Sequence, residues 1–213
     1  MKDLRVEEYF SSGFQLGKSN YWTIFFNVLL YGVIYVVFLI TILGILLLPA
    51  LAVGFYKFLL RAARGENVDV GDSLSEGFKN GMWWKSLAFI VLYVLGVLVG
   101  FILLILPGIY LIIAWFLGFY LLIDKGMGPM QALGKSRELV HKLGFWKVFV
   151  IVFVLYLAGN VLFLIPFLGV IIYFFLLPFI LMVYIAVYEN AVSDSEEDLE
   201  DAMFAPSEEL LRV

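Results

Sequence analysis

Cysteine is absent from this 213-residue chain, and histidine occurs once, as His141. Without thiols there is no disulfide framework, no thiolate metal site and no cysteine nucleophile. One histidine leaves no material for a nucleophilic triad or a zinc site. Charge is scarce too: Asp, Glu, Lys and Arg make up 15% of the residues, where about 25% is usual. The net charge of −4 argues against a partner made of nucleic acid. Apolar residues, in contrast, reach 63%, above the roughly 45–50% of soluble domains. A soluble globule of this size has too much surface for its volume to hide them. Composition therefore excludes a soluble enzyme and a disordered chain, and points to an integral membrane protein.

Charge vanishes completely in three runs, residues 21–56, 86–123 and 148–188. A hydrocarbon core of about 30 Å needs roughly 20 helical residues, so each run is long enough to cross twice. All 14 Lys and Arg and all 18 Asp and Glu fall between or outside the runs. Double crossing puts every charged segment on one face, which the positive-inside bias makes the cytoplasm. The expected fold is all-α, with six transmembrane helices as three hairpins and both termini cytoplasmic in the inner (plasma) membrane. Pro49, Pro107 and Pro166 lie near the run centres and are expected to mark the fold-backs, the alternative being that they kink long tilted helices. The opening twenty residues mix charges with apolar positions and have no cleavage pattern, so the first span is expected to serve as an uncleaved insertion signal.

Trp22, Trp84 and Trp146 stand 62 residues apart, each in an aromatic pair at the start of a run. They read as interfacial anchors. Gly13-Phe14 and Gly77-Phe78 recur upstream of the first two. The pattern predicts three units, about 10–64, 72–125 and 130–189, each an amphipathic interfacial helix followed by a membrane hairpin. Asp72 or Ser73 would cap the second such helix, and residues 129–143 form the third. Together they make one membrane domain over residues 1–190, followed at 191–213 by an acidic cytoplasmic tail, expected to be mobile and able to dock a protein partner.

Few residues carry chemistry. No acid, base or histidine lies in the runs, which disfavours ion-coupled transport. His141 follows Glu138 in a Glu-x-x-His spacing, but a di-iron site needs two copies, and a solvated helix face is expected. Thr23, Asn27, Tyr31 and Tyr35 recur every four residues in the first span, as do Tyr156 and Asn160 in the fifth and Tyr184 and Tyr188 in the sixth. These polar stripes read either as interhelical hydrogen bonding or as the lining of a cavity for a headgroup or small solute. Gly96 and Gly100 permit close helix approach, within the chain or between copies in an oligomer. Lys57, Arg61 and Arg64 share one helix face at a membrane boundary. With Lys85 and Lys147 they are candidate contacts for anionic lipid headgroups, or topology anchors.

The strings Leu106-Pro107-Gly108-Ile109-Tyr110, Ala132-Leu133-Gly134-Lys135-Ser136 and Phe145-Trp146-Lys147 carry a resemblance. Over roughly residues 54–189 the chain resembles the bacterial DUF975 membrane proteins and the YciC-like proteins. It is also similar to the membrane domain that precedes some glycerophosphodiester phosphodiesterases. The resemblance implies a six-helix membrane domain; no phosphodiesterase activity is carried over. The expected function is non-enzymatic: organising or binding lipids or membrane partners, with no cofactor. A passive transporter or channel for a small solute, and an accessory subunit of a membrane enzyme or export complex, stand as alternatives.

Overall fold

The computed structural model describes residues 6–19, 21–39, 42–66, 75–162 and 168–204. Among them every regular element is helical, as hydrocarbon requires of an open chain: with no water to bond, each backbone group must be satisfied within its own segment. The helices are α1 (Val6–Ser19), α2 (Tyr21–Leu39), α3 (Ile42–Ala63), α4 (Met82–Leu103), α5 (Ile105–Ala114), α6 (Gly118–Asp124), α7 (Pro129–Leu143), α8 (Phe145–Leu162) and α9 (Leu168–Phe204). A 3₁₀ turn, Lys79–Gly81, leads into α4. Among the described residues four helical stretches are long and apolar enough to cross a bilayer: Lys79–Leu103, Ile105–Asp124, Phe145–Leu162 and Leu168–Glu196. A shorter apolar stretch covers Tyr21–Val36. The chain is an all-helical membrane protein.

Pro49 does not make the turn expected of it, and Pro107 stands just after its turn. Pro49 lies inside α3, seven residues after that helix opens at Ile42. The second fold-back is made by Leu104, whose extended backbone (φ −167°, ψ 154°) separates α4 from α5. Pro107 follows in the first turn of α5, where a missing N–H is an orphan in any case. Pro166 falls outside the described residues, as do Asp72 and Ser73. At the acidic segment, α9 runs unbroken from Leu168 through residue 191 to Phe204.

Close approach is set by small residues. A Cβ on Gly13 would meet the backbone of Val183 at 2.6 Å, and one on Gly17 the Phe179 ring at 2.7 Å. With Tyr9 Oη donating to Asn190 Oδ1 (2.6 Å), these contacts lay α1 antiparallel along α9. A Cβ on Gly77 would overlap the Ala50 carbonyl of α3, and one on Gly100 would touch Gly108 at 3.0 Å, where α4 crosses α5. The close approach expected of Gly96 and Gly100 is thus made inside the chain: Gly96 receives the Trp115 indole. The apolar faces of α1 and α7, read from sequence as lying on the membrane surface, pack in part on the protein's own helices, while Phe14 and Met130 stay exposed. In α7 the packed residues are Ala132, Leu133, Leu139 and Val140, all buried.

Between α5 and α6 the helix breaks at residues 115–117. Ser136 of α7, fully buried, fills the break. Its Oγ accepts from the Leu117 N–H (3.1 Å) and donates to the Ala114 carbonyl (2.9 Å). A side chain from a neighbouring helix so replaces the backbone bonds that the break removes.

Candidate functional site

Three tyrosines organise the interior. Tyr56 of α3, Tyr120 of α6 and Tyr184 of α9 stand 64 residues apart, the first two inside the identical triplets Gly54-Phe55-Tyr56 and Gly118-Phe119-Tyr120. Tyr56 meets Tyr120 edge-on at 5.2 Å, and Tyr120 stacks on Tyr188 at 5.4 Å. Phe116 bridges to Tyr184 at 5.1 Å. Edge and offset contacts of this kind suit the aromatic quadrupole.

At one end of this aromatic column lies an ionic junction joining α3, α6 and α9. Arg64, just past α3, makes a two-pronged pair with Asp124 (Nη1–Oδ1 2.7 Å, Nη2–Oδ2 2.9 Å). Its Nε donates to Glu189 Oε1 at 3.0 Å. Tyr188 Oη donates to Asp124 Oδ2 at 2.8 Å. Acceptance by Asp124 raises the Arg64 pKa still further above its ordinary high value. A second pair ties α3 to the α4 side, where Lys57 and Lys79 both donate to Glu76. Those two hydrogen bonds, the one from Lys57 first, hold the Glu76 carboxyl down at about 2.

The basic residues singled out in the sequence are therefore occupied at home. Lys57 serves Glu76, Arg64 serves Asp124 and Glu189, and Arg61 lies 3.4 Å from Glu66. Lys85 donates to the Gly126 carbonyl at 3.1 Å. Lys147 sits at the start of α8, with its stem beside Gly144. Trp22, Trp84 and Trp146 all project outward near the starts of α2, α4 and α8, at 62%, 62% and 73% exposure. That is where interfacial side chains would stand. His141 is exposed, yet its Nε2 lies 2.8 Å from Tyr110 Oη and its ring stacks on Phe145.

The polar stripes part company. On α2, Thr23 is exposed, Tyr35 is half-buried, and Asn27 and Tyr31 turn inward at 5% and 2% exposure. Asn27 Nδ2 donates to the Thr23 carbonyl, while Asn27 Oδ1 and Tyr31 Oη have no partner among the described residues. On α8, Tyr156 and Asn160 open instead into a groove of about 390 Å³ between α8 and α9, facing Tyr173 and Tyr184. Asn160 Nδ2 donates to the Tyr156 carbonyl at 2.8 Å. The other side of α8 carries a second groove of about 380 Å³, lined by Phe10 and Phe14 of α1, Ala158 and Leu162 of α8, and Phe179 and Val183 of α9, among other apolar residues. Leu155, Gly159 and Ile180 form the wall between the two. Both volumes fall within the roughly 300–1,000 Å³ of small-molecule sites. Among the described residues no cluster of His, Cys, Asp and Glu could hold a metal ion.

Sequence reading found Tyr156, Asn160 and Tyr184 but missed that they face one groove; it missed the roles of Asp124 and Glu189, and met Ser136 only as part of a motif string. The 64-residue tyrosine spacing was the available signal for the interior column. Neither the family models, the curated proteins nor the solved structures contain a match to this chain.

Proposed function

We propose that this is a six-span, non-enzymatic protein of the inner membrane, with both termini cytoplasmic, that binds lipid in the grooves beside α8 and so organises its surroundings. The observation that carries the reading is the apolar groove between α1, α8 and α9, of acyl-chain character throughout its lining. In a bilayer such a groove gains nothing from hydrophobic transfer, since lipid tails are as apolar as leucine; what favours occupancy is van der Waals packing along a fixed wall. The two grooves at α8 leave room for the lipid itself to complete the packing.

Three units, each a leading segment and two spans, belong to the same proposal. Each leading segment packs on the second span of the unit before it, in a ring: α1 on α9 at Gly13, Gly77 on α3 at Ala50, and α7 on α5 at Ser136. Tyr56, Tyr120 and Tyr184 supply equivalent interior positions. Kinship with the DUF975 and YciC-like proteins would fit this arrangement. Docking of a protein partner on the acidic end of α9 is the remaining element.

The test is lipid retention. Purified protein, released gently from detergent in a mass spectrometer, should carry phospholipid, and Ala158→Phe, which fills the apolar groove, should lower that retention several-fold with the melting temperature unchanged. Unchanged retention, together with solute flux in proteoliposomes that Asn27→Leu abolishes, would replace this reading with a passive path.

A further inference from the structure

The α8–α9 groove differs in chemistry from its apolar neighbour, and the difference selects a lipid. This inference rests on the reading that the grooves beside α8 take lipid. Its polar lining is Tyr156, Asn160, Tyr173 and Tyr184, and none of its lining residues is ionisable at neutral pH. A charged headgroup would enter without a counter-ion, which at membrane depth is strongly unfavourable. The charges one turn further along α9 do not favour an anion either. Tyr184 lies one helical turn from Tyr188, which donates to Asp124, and Glu189 follows. Arg64 is spent on both acids, so that junction holds one positive and two negative groups.

The hydrogen-bonding inventory narrows the ligand further. Phenol hydroxyls at Tyr156 and Tyr184 can donate to carbonyl oxygens. Asn160 has committed one amide N–H to the Tyr156 carbonyl, which leaves its Oδ1 to accept from a hydroxyl. A fitting ligand is uncharged, has apolar chains, accepts through carbonyls and donates through a hydroxyl. An isoprenoid quinone can only accept; a diacylglycerol does both. We propose that the groove formed by Tyr156, Asn160, Tyr173 and Tyr184 binds a neutral glycerolipid of the diacylglycerol class, with its ester carbonyls toward the tyrosines and its hydroxyl toward Asn160.

The full-length protein in phosphatidylcholine nanodiscs, loaded in turn with dioleoylglycerol, dioleoyl phosphatidylglycerol or a menaquinone, provides the test by native mass spectrometry. Dioleoylglycerol should be retained above the other two. Asn160→Leu should lower its retention about 3- to 30-fold, as expected for the loss of a hydrogen bond worth roughly 0.6–2 kcal/mol in a membrane. Tyr156→Phe should act in the same direction, while Ala158→Phe in the neighbouring groove should not. Preferential retention of phosphatidylglycerol or menaquinone, or dioleoylglycerol retention indifferent to Asn160→Leu, would overturn the assignment and leave the broader lipid reading standing. Loss of every lipid, phosphatidylcholine included, would remove both. Because Asn160 and Tyr156 are surface positions of α8, unchanged helix content and melting temperature should accompany each variant.

Discussion

Removing Arg64 should loosen the three-way ionic junction, and its cost can be argued from the geometry. Asp124 has only 12% of its side chain exposed and accepts two guanidinium hydrogen bonds plus one from Tyr188. Breaking a buried pair by deleting one partner typically costs 3–5 kcal/mol, because the remaining charge is stranded. Arg64 keeps 35% of its side chain exposed, so solvent screens part of this, and we expect about 2 kcal/mol for Arg64→Met. That is roughly a 30-fold change in the unfolding equilibrium. Arg64→Lys should recover less than half, since an ammonium cannot make the forked contact. Asp124→Asn keeps the shape and an acceptor for Tyr188 while removing the stranded charge, so the double variant should lose clearly less than the sum of the singles. Equilibrium unfolding in mixed micelles, followed by circular dichroism, measures all four species. Strict additivity within about 0.3 kcal/mol, or a loss for Arg64→Met below about 0.5 kcal/mol, would refute the junction as a tie between α3, α6 and α9.

Ser136→Ala should cost about 1–3 kcal/mol in the same assay, because it leaves the Leu117 N–H and the Ala114 carbonyl unpaired in a buried break, and Ser136→Thr should cost less if the hydroxyl is what matters. Gly77→Val should abolish accumulation of folded protein, as its side chain would occupy the Ala50 carbonyl, whereas Gly65→Ala, with open space around it, should only register its left-handed backbone. Glu76 titrates at about 2 in the folded protein, against about 4.3 unfolded. Its contribution is therefore full above about pH 4.5 and disappears as pH falls through 2, and Glu76→Gln should flatten that limb of an acid titration by on the order of 1–2 kcal/mol after screening. Cysteines at Ser11, Ser75 and Ser193 should react only with reagent on the cytoplasmic side, and one at Leu168 only from the other; reaction of Ser75→Cys from outside would break the six-span topology.

Much of the helical layout could be read from where charge is missing, because a charge-free run leaves hydrocarbon as the only comfortable surroundings. The close helix approach read from the Gly96–Gly100 spacing is made inside the chain. Pro49 misled for a physical reason. In a membrane helix a freed carbonyl can be satisfied by neighbours, so Pro49 sits inside α3 beside the close contact of Gly77 with Ala50. The ionic junction was out of reach, since Arg64 finds Asp124 and Glu189 across 60 and 125 residues, and nothing local distinguishes those acids from the rest. Ser136 was visible only as one polar residue in an amphipathic helix; its role exists because another helix breaks beside it. The acidic segment was read as loose from its charge, yet the helix preceding it continues straight through its first turns, with Lys125 held to Glu196 and Lys142 to the Asp194 carbonyl.

That continuity gives α9 a mechanical character. A helix of 37 residues measures about 55 Å, and no described break interrupts it between the groove at Tyr173 and the acidic residues beyond Glu196. Such a rod converts small rotations into travel: a tilt of about 10° pivoting near Glu189 would carry a point one span-length of roughly 20 Å away through some 3–4 Å. Whatever fills or vacates the space beside Tyr173 therefore moves the charged end as well. With the pivot near Glu189, the arm back to Leu168 is about 32 Å and the arm to Phe204 about 22 Å, so the acidic end travels about two thirds as far as the apolar end, in the opposite direction.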